Sequence, residues 1–199
     1  MTATLDLPAA ATAPARRTPE ADPMWITAEM VAAMIFEVPK VEIWHGELKI
    51  KMASRTGKLH GQVQAGCTCL LGNFIKPRGL GRLFNGSGVL LRRDPDVLYG
   101  PDVAFYATGR GDGHPTFFVG GSDLAVEVVS PNNTRRDVET KVDLYQRYGT
   151  RLIWVIELVP PRVTVHRLDE GPTLIFDNEV LDGGDVLPGL AVMVADLVA

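Results

Sequence analysis

Hydrophobic positions along this chain recur with two spacings, and the switches between them lay out the elements. "VEIWHGELKIKM" alternates at period two on either side of His45-Gly46, which predicts a hairpin. Downstream, Leu59, Val63, Cys67, Leu70, Leu71 and Phe74 fall on one helical stripe, with Lys76-Pro77 and Gly79 as the stop. "GVLLRR", "DVAFYA" and "DLAVEVVS" then predict strands separated by Gly/Asp-rich loops. A second helix, "TRRDVETKVDLYQRYG", carries Val138, Val142 and Tyr145 on its apolar stripe and closes at Gly149. "RLIWVIEL", "RVTVHRL" and "TLIF" read as strands, and "LPGLAVMVADLV" as a closing strand or short helix. Near the start, "TAEMVAAMIFEVP" reads as a short helix with Thr27 as N-cap. Residues 1–22, rich in Ala, Thr and Pro, are expected to be a mobile tail, leaving 23–199 as a single domain. One buried strand joined through a helix to a second apolar strand predicts a β-α-β crossover with parallel pairing. The expected fold class is α/β, a mixed central β-sheet flanked by helices.

Three charges stand against this pattern. Glu127 lies inside the apolar strand "LAVEVVS", where a carboxylate loses its hydration at a cost of several kcal/mol, on the order given by buried ions, unless something pairs with it. Asp102 follows Gly100-Pro101 and opens "DVAFYA", and Lys141 sits on the helix after Glu127. Two carboxylates presented by neighbouring strands form a pocket of hard oxygen ligands suited to Mg²⁺ or Mn²⁺. Such an ion offsets the cost of burying Glu127, polarises a phosphoryl oxygen and acidifies a bound water, while an ammonium from Lys141 steadies developing charge. Asp137, Lys141 and Tyr145, spaced by four, share one helix edge. Structural alternatives exist for each: a buried salt bridge for Glu127, a Pro-Asp turn for Asp102, and an exposed i,i+4 pair for Asp137 and Lys141. Asp96 in "DPDV" competes with Asp102, which is preferred because a period-two apolar pattern follows it directly. His60 and Gln64, one turn apart, are candidates to contact a phosphate or water, or simply to cap or pack their helix.

Charge adds a second theme. The net charge is −4, yet nine of the 20 Lys/Arg fall between Lys49 and Arg93 and none of the 24 Asp/Glu does. That acid-free stretch, with Lys49, Lys51, Arg55 and Lys58 at its head, is either a phosphate-facing surface or a solvated face. No apolar run approaches the roughly 18 residues of a membrane span, and the start lacks a secretory pattern. Cys67 and Cys69 have no partner pair or close His that would complete a zinc set, so they read as reduced packing residues of a cytoplasmic protein.

"GPDVAFY" followed by "LAVEVVSPNNTRRDVETKVDLYQRYGTRLIWVIE" resembles the Uma-two family, which falls in the PD-(D/E)XK nuclease superfamily. "HGELKIKM", the His60 helix start and "LPGLAVMVADL" are also similar, so the resemblance runs from about Trp25 to the C-terminus. It implies a restriction-endonuclease-like fold and a divalent-metal-dependent endonuclease that hydrolyses phosphodiester bonds, in DNA. Asp102 and Glu127 would be metal ligands, the main-chain carbonyl of Val128 a further one, and Glu47 a supporting acid. The chain departs from the superfamily motif at Val129, where a lysine belongs; Lys141 from the next helix would take its place. That departure keeps open a catalytically silent binding or assembly module on the same fold. A glycosidase using Asp102 and Glu127 as acid and base is a rival from another class, with few aromatic residues near the pair to support it. A homodimer would suit double-strand cleavage, though no residue marks an interface.

Overall fold

A computed structural model describes residues 25–34, 41–50, 57–111, 114–131 and 133–198. Chain order gives α1 (Ala28–Met34), β1 (Val41–Trp44), β2 (Glu47–Ile50), α2 (Lys58–Ile75), β3 (Gly81–Asn85), β4 (Val89–Arg92), β5 (Val97–Tyr99) and β6 (Val103–Ala107). Then follow β7 (Phe118–Val119), β8 (Leu124–Val128), α3 (Arg135–Arg147), β9 (Leu152–Leu158), β10 (Pro161–Arg167), β11 (Thr173–Phe176), β12 (Val180–Asp182), β13 (Ala191–Met193) and α4 (Val194–Val198). The expected tail at 1–22 lies outside the described residues.

The central sheet is six-stranded and mixed, in the order β11-β10-β9-β8-β6-β3. Its parallel pair is β8–β9, joined through α3 as the crossover pattern predicts, and its other ladders are antiparallel. The hairpin does not join this sheet. β1 pairs with β5 through Ile43 and Leu98, and a second five-stranded sheet forms in the order β2-β1-β5-β4-β7. β12 and β13 make a small third sheet.

Period-two alternation sorts the side chains into layers. Val103, Phe105, Leu124, Val126, Trp154 and Ile156 face α2 and α4, which supply Val63, Cys67, Leu71, Val194 and Leu197. Ala104, Tyr106, Ala125, Ile153 and Val155 face the other way, against α3 and the second sheet's Val97 and Tyr99. Ile43, Leu90 and Leu98 on the far side of that second sheet lie under Ala28 and Val31 of α1. Each fully buried side chain such as Leu71 or Ile156 stabilises the fold by about 1.5–3 kcal/mol.

Two local features fix how these layers meet. The two-residue turn His45-Gly46 has φ of 48° and 81°, and Trp44 pairs with Glu47 across it. A Cβ on Gly46 would stand 2.7 Å from Trp25, so glycine is required there. Helix α2 is rotated from the expected stripe: its buried residues are His60, Val63, Cys67, Leu71 and Ile75, while Leu59 is 40% exposed. At about 3.6 residues per turn His60 falls on the stripe that Val63, Cys67, Leu71 and Ile75 bury, and there it meets Asp102.

Candidate active site

Glu127 is 6% exposed on β8, and both carboxylate oxygens are engaged from α3. Lys141 Nζ donates to Oε2 at 2.5 Å and the Tyr145 hydroxyl donates to Oε1 at 2.7 Å. A short loop delivers α3 onto the strand, and a capping box fixes its start: Thr134 accepts from the Asp137 N–H while Asp137 accepts from the Thr134 N–H. Lys141 and Tyr145, one turn apart, then project onto the same carboxylate. Burial pushes the Lys141 ammonium down, but the carboxylates of Glu127, Glu42 and Asp102 outweigh it and hold its pKa above the ordinary lysine value. Burial, and then the Glu127 charge, raise the Tyr145 phenol well above its usual range, so it remains a hydrogen-bond donor.

Asp102 precedes β6 by one residue. Since Val103 pairs with Val126, one step back sets Asp102 across from Glu127. Its Oδ2 accepts from the Val128 N–H at 2.9 Å and lies 3.3 Å from His60 Nε2. Its main-chain carbonyl accepts from Gln64 Nε2 at 2.7 Å and from the Gly86 N–H at 3.3 Å. In an antiparallel ladder a residue turns its N–H and C=O toward the same neighbour, so the Val128 carbonyl shares the side on which Asp102 lies. Asp96, the competing Pro-Asp acid, is used elsewhere: it accepts from the Ala28 N–H at 2.7 Å, capping α1, and from Arg93 at 3.2 Å.

The hairpin contributes an acid that the sequence pattern did not single out. Glu42 on β1 is 2% exposed, and its charge acts on Lys141, Tyr145 and Tyr99. Glu47, the hairpin acid carried by the resemblance, is exposed at the start of β2. The signal for Glu42 was present: in "VEIW" it shares a face with Trp44, the same anomaly of a charge within an apolar strand that marks Glu127. Asp137 remains at the exposed helix cap rather than against Lys141.

The basic stretch does not form one face. Lys58 is exposed at the start of α2, near His60, and Lys49 is exposed with its ammonium 4.6 Å from the Trp44 ring. Lys76 lies sixteen residues beyond His60, about 24 Å away at about 1.5 Å per residue, just past the far end of α2. Arg93 is held by Glu29 at 2.5 Å and by Asp96. Lys51 and Arg55 lie outside the described residues.

Glu42, Asp102 and Glu127 are all buried, with the Lys141 ammonium against Glu127 and His60 against Asp102. Their carboxylate oxygens are the hard donors that a divalent cation takes. Among the described residues no three His, Cys, Asp or Glu side chains form a ready-made cage. One or two carboxylates completed by waters are the usual protein contribution to a Mg²⁺ site, so Asp102 and Glu127 fit the ion.

The fold is that of a nuclease-like α/β protein. It matches the crystal structure of a putative nuclease belonging to DUF820 from Anabaena variabilis ATCC 29413, with a TM-score of 0.70 and 18% identity, covering 83% of this chain and 96% of that one. The chain belongs to the Uma2 family, described as putative restriction endonuclease, which it matches over residues 29–195. No curated protein matches it. No helix among the described residues is long and apolar enough to cross a membrane.

Proposed function

We propose that this protein is a divalent-metal-dependent endonuclease that hydrolyses phosphodiester bonds in DNA. The observation that carries the reading is the pair of buried carboxylates Asp102 and Glu127 presented by neighbouring strands, with Lys141 against Glu127. Family membership supports nuclease chemistry, and it favours this reading over an acid–base glycosidase. A Mg²⁺ or Mn²⁺ held there by Asp102 and Glu127, with the Val128 carbonyl, supplies Lewis acidity toward a phosphoryl oxygen and acidifies a bound water. Tyr145 keeps Glu127 oriented by donating to Oε1. Lys141, beside Glu127, would steady the charge that develops on phosphorus. Lys58 and Lys49, both exposed, would contact the phosphate backbone and give salt-sensitive affinity with little sequence readout.

One observation favours the silent-module reading. Both Glu127 oxygens are engaged by Lys141 and Tyr145, and Val129 stands where the superfamily motif has lysine. A plasmid-nicking assay with Mg²⁺ or Mn²⁺ separates the two. The endonuclease reading expects nicking by the wild type and its loss in Asp102→Ala, Glu127→Ala and Lys141→Ala. Equal nicking by wild type and variants would remove the site assignment, and metal-independent DNA binding without nicking would establish the silent module.

A further inference from the structure

We infer that His60 and Gln64 are positioning residues that hold Asp102 for its cation, an inference that rests on Asp102 being a metal ligand as proposed above. Asp102 lies just outside β6, so the strand ladder alone does not fix it. Helix α2 supplies the missing restraint at two points: His60 Nε2 at 3.3 Å from Oδ2, and Gln64 Nε2 at 2.7 Å from the main-chain oxygen. The two contacts sit one turn apart, so a single helix face meets both ends of the residue. Val128 N–H and Gly86 N–H complete the grip, each on an oxygen that α2 also holds.

The helix gives up stability for this contact. Leu59, an apolar residue next along the chain, is left 40% exposed while His60 occupies the buried position. The His60 Nδ1 atom is buried with no hydrogen-bond partner among the described residues, a state that costs stability. Position 60 lies on the stripe that Val63, Cys67, Leu71 and Ile75 bury, so a helix selected for packing alone would carry an apolar residue there rather than a histidine. Burial also keeps His60 from touching a substrate, so its effect on the chemistry passes through Asp102. Outer residues of this kind orient metal-binding carboxylates, and their loss weakens metal affinity about 10- to 100-fold.

The test is calorimetric titration of the full chain with Mn²⁺, alongside thermal melting. Four variants are compared with wild type: His60→Leu, His60→Gln, Gln64→Met and Asp102→Ala. His60→Leu and Gln64→Met should bind Mn²⁺ about 10- to 100-fold more weakly. His60→Gln, whose amide still donates, should recover most of that loss. A purely structural role would instead lower the melting temperature of both His60 variants alike, with no dependence of Mn²⁺ affinity on the donor. Wild-type Mn²⁺ affinity in His60→Leu and Gln64→Met, with loss in Asp102→Ala, would overturn the positioning role alone. Unchanged affinity in Asp102→Ala, or no binding by wild type, would overturn the metal-ligand reading and this inference with it. If His60→Leu does not fold, Gln64→Met carries the same decision.

Discussion

Strand β8 is bracketed by two buried acids that have opposite surroundings. Asp123, just before the strand and 1% exposed, accepts from Arg110 at 2.5 Å and from the Ala107 N–H at 2.8 Å, with Arg151 3.7 Å away. Arg110 and Arg151 are 43% and 41% exposed, and Arg151 also bonds Asp185, so the guanidiniums around Asp123 reach water. At the other end Glu127 meets an ammonium that is itself buried and on which Asp102 and Glu42 also act. Burial of an acid is therefore not what marks a site here. The exposure of its partners differs: Asp123 is a latch between β6, β8 and β9 whose cations reach water, whereas the cation that meets Glu127 is enclosed with it.

The largest effect should come from the Glu127 end. Asp102→Asn and Glu127→Gln should each lower metal-dependent nicking by at least about 100-fold, the scale seen when one preorganised electrostatic group is lost. Asp123→Asn should leave nicking per folded molecule unchanged and cost about 2 kcal/mol of stability in urea melts. That is below the 3–5 kcal/mol of a fully enclosed pair, because Arg110 and Arg151 keep access to water. If Asp123→Asn also lost nicking while folded, the contrast between the two ends would fail.

Much of that contrast was legible in the sequence, and the illegible part has a physical reason. Glu127 in "LAVEVVS" and the β8-α3-β9 crossover follow from local patterns, because strand, loop and helix are adjacent in the chain. The second sheet does not, since Ile43 meets Leu98 across 55 residues and nothing in "VEIW" names its partner strand. Glu42 was hidden by the same non-locality: only once β1 pairs with β5 does its face turn toward Lys141 and Tyr99. The partner that makes a buried His60 tolerable, Asp102, lies over forty residues away, so apolar spacing alone chose Leu59 over His60. The basic stretch runs along α2, whose eighteen residues separate charges adjacent in composition by about the width of a small domain.

Glu42 sharpens the comparison. Glu42→Gln removes a buried charge that helps to hold the Lys141 pKa up, so the alkaline loss of stability should begin at lower pH than in wild type. It should also shrink the melting shift produced by Mn²⁺. In wild type that shift corresponds to about 2.7 kcal/mol when the ion is at a hundred times its Kd, by mass action on the folded state. An unchanged Mn²⁺ shift in Glu42→Gln would mean that Glu42 acts on Lys141 without acting on the cation.

The smallest effect belongs to an exposed pair that serves as a reference for both buried ends. Arg93 bonds Glu29 in two places, at 2.5 and 2.8 Å, and that hydrogen bond with the adjacent guanidinium charge lowers the Glu29 carboxyl to about 2. A carboxyl with a depressed folded pKa adds stability that is fully present above its unfolded value of 4.5. The contribution is lost as pH falls through 4.5 toward about 2. Both side chains are nearly half exposed, so water screens the pair and its worth stays under about 1 kcal/mol. Glu29→Gln should therefore lower stability slightly at pH 7 and make no difference near pH 2, with salt erasing most of the gap. Lys141 runs the other way: its raised pKa gives stability that is present below the ordinary lysine value of 10.5 and lost as pH climbs through the higher folded value. An acid limb that moved more in Glu29→Gln than the alkaline limb moves in Lys141→Met would mean that exposure, rather than enclosed charge, governs these contacts.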